Sequence, residues 1–155
     1  MLDTTGIQSR LTKLDQYSRI LRELQSTDRE QFVTDYHLYG LAERYLHLSI
    51  ECLLDTSNMI VSGLGLRKPE RYQDAVDILA EAGVLSPDLS RKLRGVAGFR
   101  NILVHEYLEI DRDLVYQYLQ YHLGDLEVFA REVLTFIRAW RAGEWRDDQE
   151  DGTSS

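Results

Sequence analysis

The sequence predicts an all-α, up-and-down bundle of about five helices, and three observations carry that prediction. No segment shows the apolar/polar alternation that a half-buried strand needs, whereas helical periodicity recurs along nearly the whole chain. The last long segment keeps a seam at Val115, Leu119, His122, Leu126, Phe129, Val133, Phe136 and Trp140, in steps of 4,3,4,3,4,3,4. Only two prolines occur, Pro69 and Pro87, both placed as helix-start residues, where a missing N–H costs nothing. Short connections between the helical segments then favour antiparallel neighbours.

Taken in order, a first helix follows Ile7, Leu11, Leu14, Ser18 and Leu21. A second runs from about Asp28 to Asp55, with Tyr39, Ala42, Leu46, Ser49 and Leu53 on one face, and continues through Thr56 until Gly63 and Gly65 stop it. A short helix from Glu70 to Ala82 buries Ala75, Val76 and Leu79 and ends at Gly83, a residue type that closes helices in the left-handed conformation. Ser86 or Pro87 opens a fourth, which runs towards His105. In the fifth, Leu114, Tyr118, Ala130 and Ile137 widen the seam into a core-facing stripe, and His122, lying on it, is expected in the core or at an interface. The chain divides into a helical domain over 1–143 and an acidic, flexible tail over 144–155. There are no internal repeats.

Composition sets the outer limits. With 43% hydrophobic and 28% charged residues over 155 positions, the chain has the make-up of one soluble globular domain. No apolar run is long enough to span a membrane, and the opening MLDTTGIQSR has no secretory core. Cys52 is the sole cysteine, so no intrachain disulfide is possible and a cytoplasmic location is expected. The net charge of −8 is hostile to nucleic acid as a whole, yet Glu144, Asp147, Asp148, Glu150 and Asp151 concentrate acid in the tail. By contrast, Arg91, Lys92, Arg94 and Arg100 lie in a stretch with no acid, a local basic strip that phosphate could use.

One helix breaks its own pattern. Its seam runs Leu89, Leu93, Val96, Arg100, Leu103, Tyr107, and five of these six positions are apolar or aromatic. A guanidinium on a stripe meant for burial needs a carboxylate, carbonyls or a phosphate. A salt bridge to Glu51 or Asp55 would satisfy it, as would simple snorkelling of the side chain. Beside it, Asn101 and His105 are four residues apart and can touch. Arg100 and His105 lie roughly 140° apart on a straight helix, so they converge only if the helix loosens near His105 or a second copy completes the site.

The pattern Arg100-Asn101-x-x-x-His105-x-Tyr107 resembles the R-x4-6-H signature of the HEPN-superfamily ribonucleases. The longer run FRNILVHEYLEIDRDLVYQYL resembles the HepT toxins of MNT/HepT toxin–antitoxin modules, down to the R-x4-H-x-Y form, and helix order and length fit over roughly residues 8–140. The resemblance implies a HEPN fold, a homodimer with facing motifs, and RNA cleavage without metal or other cofactor by attack of the ribose 2′-OH. It makes Arg100, Asn101 and His105 catalytic: His105 as general base or acid, Arg100 as stabiliser of the phosphorane-like charge, Asn101 as the group orienting His105 or holding a phosphate oxygen. It also implies a minimal nucleotidyltransferase (MntA-like) antitoxin as partner, attaching AMP to Tyr107 and so blocking the site.

Other features were weighed beside these. HEYLE from His105 lacks the second histidine of H-E-x-x-H, which argues against a zinc hydrolase, and His37 and His47 have no metal-ligand spacing. SGLGLRKP, Ser62–Pro69, reads as an interhelical loop; its Arg67 and Lys68 extend a candidate RNA track with Arg91, Lys92 and Arg94. Tyr116, Tyr118 and Tyr121 serve either as base-stacking residues or as core. Two function classes follow: a ribonuclease toxin, or a non-catalytic helical subunit that binds a nucleotidyltransferase and positions its substrate. The second needs the bundle but not Arg100 and His105 together.

Overall fold

The computed structural model describes residues 1–105 and 110–146. They form eight helices: α1 (Thr4–Gln25), α2 (Arg29–Thr34), α3 (Tyr36–Gly63), α4 (Tyr72–Glu81), α5 (Pro87–Lys92), α6 (Val96–Val104), α7 (Arg112–Tyr121) and α8 (Leu123–Arg141). All five expected rods are present, and three of them are broken once.

Each break has a local cause. At Asp35 the backbone turns extended (φ −101°, ψ 108°) and the carboxylate accepts from the His37 N–H at 2.9 Å, so an aspartate inside the expected second helix caps a new one. At Gly95 φ reaches +89°, a left-handed conformation that ends one helix and starts the next at a new angle. At His122 (φ −118°) α7 closes and α8 opens. That break turns His122 out of the seam it was expected to join. Its side chain is 48% exposed, with Nδ1 3.2 Å from the Asp125 carboxylate, so it is not a core residue of this chain. Four further helices start at short polar caps: Asp3, Asp28, Ser86 and Asp111 each accept from a backbone N–H of the following turn.

The 28-residue α3 is the axis of the bundle and packs against every other helix except α5. Its inward face, Ala42, Leu46, Ser49, Ile50, Leu53, Leu54, Ile60 and Val61, meets Ile7, Leu14 and Leu21 of α1 and Leu126, Phe129 and Val133 of α8 in one continuous core. At about 25 cal/mol per Å² of apolar surface removed from water, this burial is the main force holding the helices together. Glu132 of α8 accepts from the Ser86 N–H (2.6 Å) and hydroxyl (3.1 Å), pinning the start of α5 and hence the entry to α6. The Glu144 and Trp145 N–H groups donate to the Ala139 carbonyl, and the Trp145 ring sits edge-on to Phe136. Residues 147–155, most of the expected acidic tail, lie outside the described residues, as does the stretch 106–109. No helix among the described residues is long and apolar enough to cross a membrane.

Candidate functional site

The site is carried by α6, a helix of nine residues held by three buried side chains. Val96, Phe99 and Leu103, spaced 3 and 4, face the core. Phe99 lies flat on Tyr118 of α7, with ring centroids 4.0 Å apart and planes within 3°. Burial, with a further push from the Asp125 charge, raises the Tyr118 phenol well above its usual value, so this ring stays neutral.

Next to Phe99, Arg100 reaches back to α3. Its Nε donates to Oε1 of Glu51 at 2.6 Å, and its Nη1 makes a long bond of 3.4 Å to Oδ1 of Asn101. The guanidinium carbon stands 4.8 Å from the ring centroid of Tyr72, the first residue of α4, a cation–π contact. The arginine that interrupts an apolar stripe thus takes one of the two carboxylates the sequence offered, with its side chain 20% exposed. The Glu51 bond raises the guanidinium pKa further, burial opposes it, and the group stays charged.

His105 is the C-cap of α6. Its N–H closes the last turn onto the Asn101 carbonyl at 3.3 Å, and its backbone (φ −83°, ψ 52°) then leaves the helix. The helix therefore ends at His105, whose imidazole is exposed, and the turn at ψ redirects the chain beyond it. Asn101 is exposed, and its Oδ1 serves Arg100. Tyr107 lies outside the described residues.

The expected basic track is less bare than its sequence suggests. Arg91 and Lys92 lie 3.6 and 3.1 Å from Asp88, one turn earlier, and Arg67 forks onto Glu81. Arg94 and Lys68 are exposed. Such exposed pairs are weak and exchange readily for phosphate. Of the three tyrosines, Tyr118 is core and Tyr116 donates to the Thr27 carbonyl, while Tyr121, 78% exposed, stands open to solvent. A groove of about 780 Å³ runs between α1 and α8, but no motif residue lines it.

Two members of the site were not foreseen. Tyr72 arrives from α4 through tertiary packing and leaves no sequence signal. His47 sits one turn before Glu51, with Nε2 3.5 Å from the same Oε1 that Arg100 uses. It could have been found from the i,i+4 spacing once Glu51 was chosen over Asp55.

A family model described as "Ribonuclease HepT-like" matches residues 13–133, which include the whole motif. A Shewanella oneidensis protein named mRNA nuclease HepT is 31% identical over 121 residues, covering 77% of this chain and 91% of that protein. An Aphanizomenon flos-aquae protein named tRNA nuclease HepT is 24% identical over 131 residues, covering 84% and 89%. Among solved structures, the tri-AMPylated HEPN toxin of Shewanella oneidensis in complex with its MNT antitoxin superposes with a TM-score of 0.75 at 27% identity, covering 87% of this chain and 99% of that one. Helix order, motif and family model agree, and the chain belongs to the HepT-like ribonuclease family.

Proposed function

We propose that this chain is the ribonuclease toxin of a toxin–antitoxin pair and that Arg100 and His105 carry its chemistry. The observation that supports this most directly is the state of Arg100. It is anchored through Nε, so the guanidinium is oriented, and among the described residues Nη2 is not closed onto by a carboxylate and can donate to a phosphate oxygen.

In this mechanism His105 removes the proton from a ribose 2′-OH, and the 2′-oxygen attacks the adjacent phosphorus. Negative charge grows on the non-bridging oxygens, where Arg100 neutralises it. Asn101, tied to Arg100 through Oδ1, helps hold the phosphate or orient His105. The P–O5′ bond breaks, and the departing oxygen takes a proton from a second, protonated imidazole, leaving a 2′,3′-cyclic phosphate and a 5′-OH. A second copy of the chain in a homodimer, with its motif facing the first, supplies that imidazole. No step calls on a metal or other cofactor. Arg67, Lys68, Arg91, Lys92 and Arg94 lend electrostatic attraction to the strand. A cognate nucleotidyltransferase silences the toxin by transferring AMP to Tyr107, beside His105 in sequence, where a nucleotide would exclude RNA. A neighbouring relative is AMPylated and bound to such an antitoxin, and two relatives carry the names of a messenger and a transfer RNA nuclease.

Mapping RNA ends after induced expression tests the enzyme and its target together. Cyclic phosphate ends are expected with wild type and none with Arg100→Ala or His105→Ala in folded protein. Cleavage by either variant at the wild-type rate would refute this mechanism. Incubation with the antitoxin and ATP should add the mass of AMP to wild type and not to Tyr107→Phe; an unchanged gain would move the acceptor elsewhere.

A further inference from the structure

We propose that His47 is a positioning residue: it holds the Glu51 carboxylate in an orientation that does not close onto Nη2 of Arg100, a donor then available to a phosphate. The proposal rests on Arg100 acting on phosphate as set out above.

The chain contains its own controls. Arg22 meets Glu127 through both Nε (2.6 Å) and Nη2 (2.8 Å), one to each carboxylate oxygen. Arg67 meets Glu81 in the same two-point way, at 3.3 and 2.8 Å. This fork is a frequent geometry for an arginine and a glutamate brought together by packing between helices, whereas Arg29 meets its sequence neighbour Glu30 at one point only. Arg100 and Glu51 depart from it. Between these two residues only Nε and Oε1 meet. The same Oε1 lies 3.5 Å from Nε2 of His47, one turn back on α3. One carboxylate oxygen is therefore shared between an imidazole and a guanidinium, and the second does not close onto Nη2.

The ring's surroundings define how His47 acts. Its side chain is 21% exposed, and Nδ1 is buried with no hydrogen-bond partner among the described residues. A hydrogen on Nδ1 would be a buried donor without an acceptor, whereas a hydrogen on Nε2 faces a carboxylate. The Nε2–H tautomer follows, with His47 presenting that N–H to Glu51 across 3.5 Å. Removing that donor lets the carboxylate turn and close the fork on Arg100, as Glu127 and Glu81 do on their arginines. The donor that phosphate needs is then consumed inside the protein.

The test uses the purified full-length chain and an end-labelled RNA oligonucleotide spanning a mapped cut. His47→Leu should lower kcat/KM about tenfold, the loss of one well-placed donor to the transition state. His47→Gln, which keeps an N–H at similar reach but cannot titrate, should stay within about twofold of wild type at every pH. In a Glu51→Gln background, where the clamp is already weakened, His47→Leu should add nothing further, a coupling that simple loss of packing does not produce. Should His47→Leu fail to fold by circular dichroism, His47→Asn, too short to reach Oε1, takes its place. Wild-type kcat/KM in the Leu or Asn variant overturns the proposal. So does a Gln variant as impaired as Leu, which would indicate proton transfer, or a full effect in the Glu51→Gln background. If Arg100→Ala itself cleaves normally, the ribonuclease mechanism falls; if Arg100→Ala is dead and His47→Leu is normal, only this inference does.

Discussion

Phe99 lies flat on Tyr118, centroids 4.0 Å apart and planes within 3°, and this stack joins the helix that carries Arg100 to α7. It explains why a nine-residue helix, too short to persist alone, holds Arg100 in a set direction.

Tyr118→Ala is expected to cost about 3 kcal/mol in urea unfolding, through lost burial and the cavity left beneath α6. Cleavage should fall further than stability does, because Arg100 loses its support. Tyr118→Phe should keep both.

The raised Tyr118 pKa has a definite sign. In the unfolded chain the phenol ionises near its usual value of 10.0, whereas in the folded chain it holds its proton to higher pH. Above about pH 10 the unfolded state binds fewer protons and is favoured, so this contribution to stability is complete below pH 10 and lost as pH rises beyond it. Thermal melts of wild type and Tyr118→Phe should therefore match at neutral pH and diverge above pH 10, with the Phe variant the more stable.

Gly95 separates α5 from α6 at φ +89°, with open space where a Cβ would go. Gly95→Ala should thus cost only the backbone penalty of about 1 kcal/mol. A much larger loss in denaturant melts would show that the hinge tolerates no change in the entry angle of α6.

Lys92 and Arg94 test the RNA track. Lys92→Ala and Arg94→Ala should weaken RNA binding at low salt, and each should reduce the slope of log K against log salt by about 0.7, the value for one phosphate contact on a single strand. Unchanged slopes would remove these residues from the RNA path.

Much was legible before any coordinates. Ile7, Leu11, Leu14 and Leu21, and likewise Ala42, Leu46, Ser49 and Leu53, are buried as their spacing predicts, because helical period is a property of neighbours along one chain. Breaks inside the rods were harder. Asp35 reads equally as a surface residue or a cap, and the choice is made by whether the core continues straight or turns. His122 kept a seam spacing that the break at that residue annulled.

The sequence by itself determined the helical class, the family and the segment proposed to bear the chemistry. It also marked Arg100 as a charge that must find a partner, and showed that Arg100 and His105 converge only through a loosened helix end, a second copy of the chain, or both. Only the tertiary structure decided which partner. α3 brings Glu51, and with it His47, to one edge of the guanidinium, and α4 brings Tyr72 to its face. Those residues lie far from Arg100 along the chain, and their meeting is set by how whole helices pack, which no local spacing encodes.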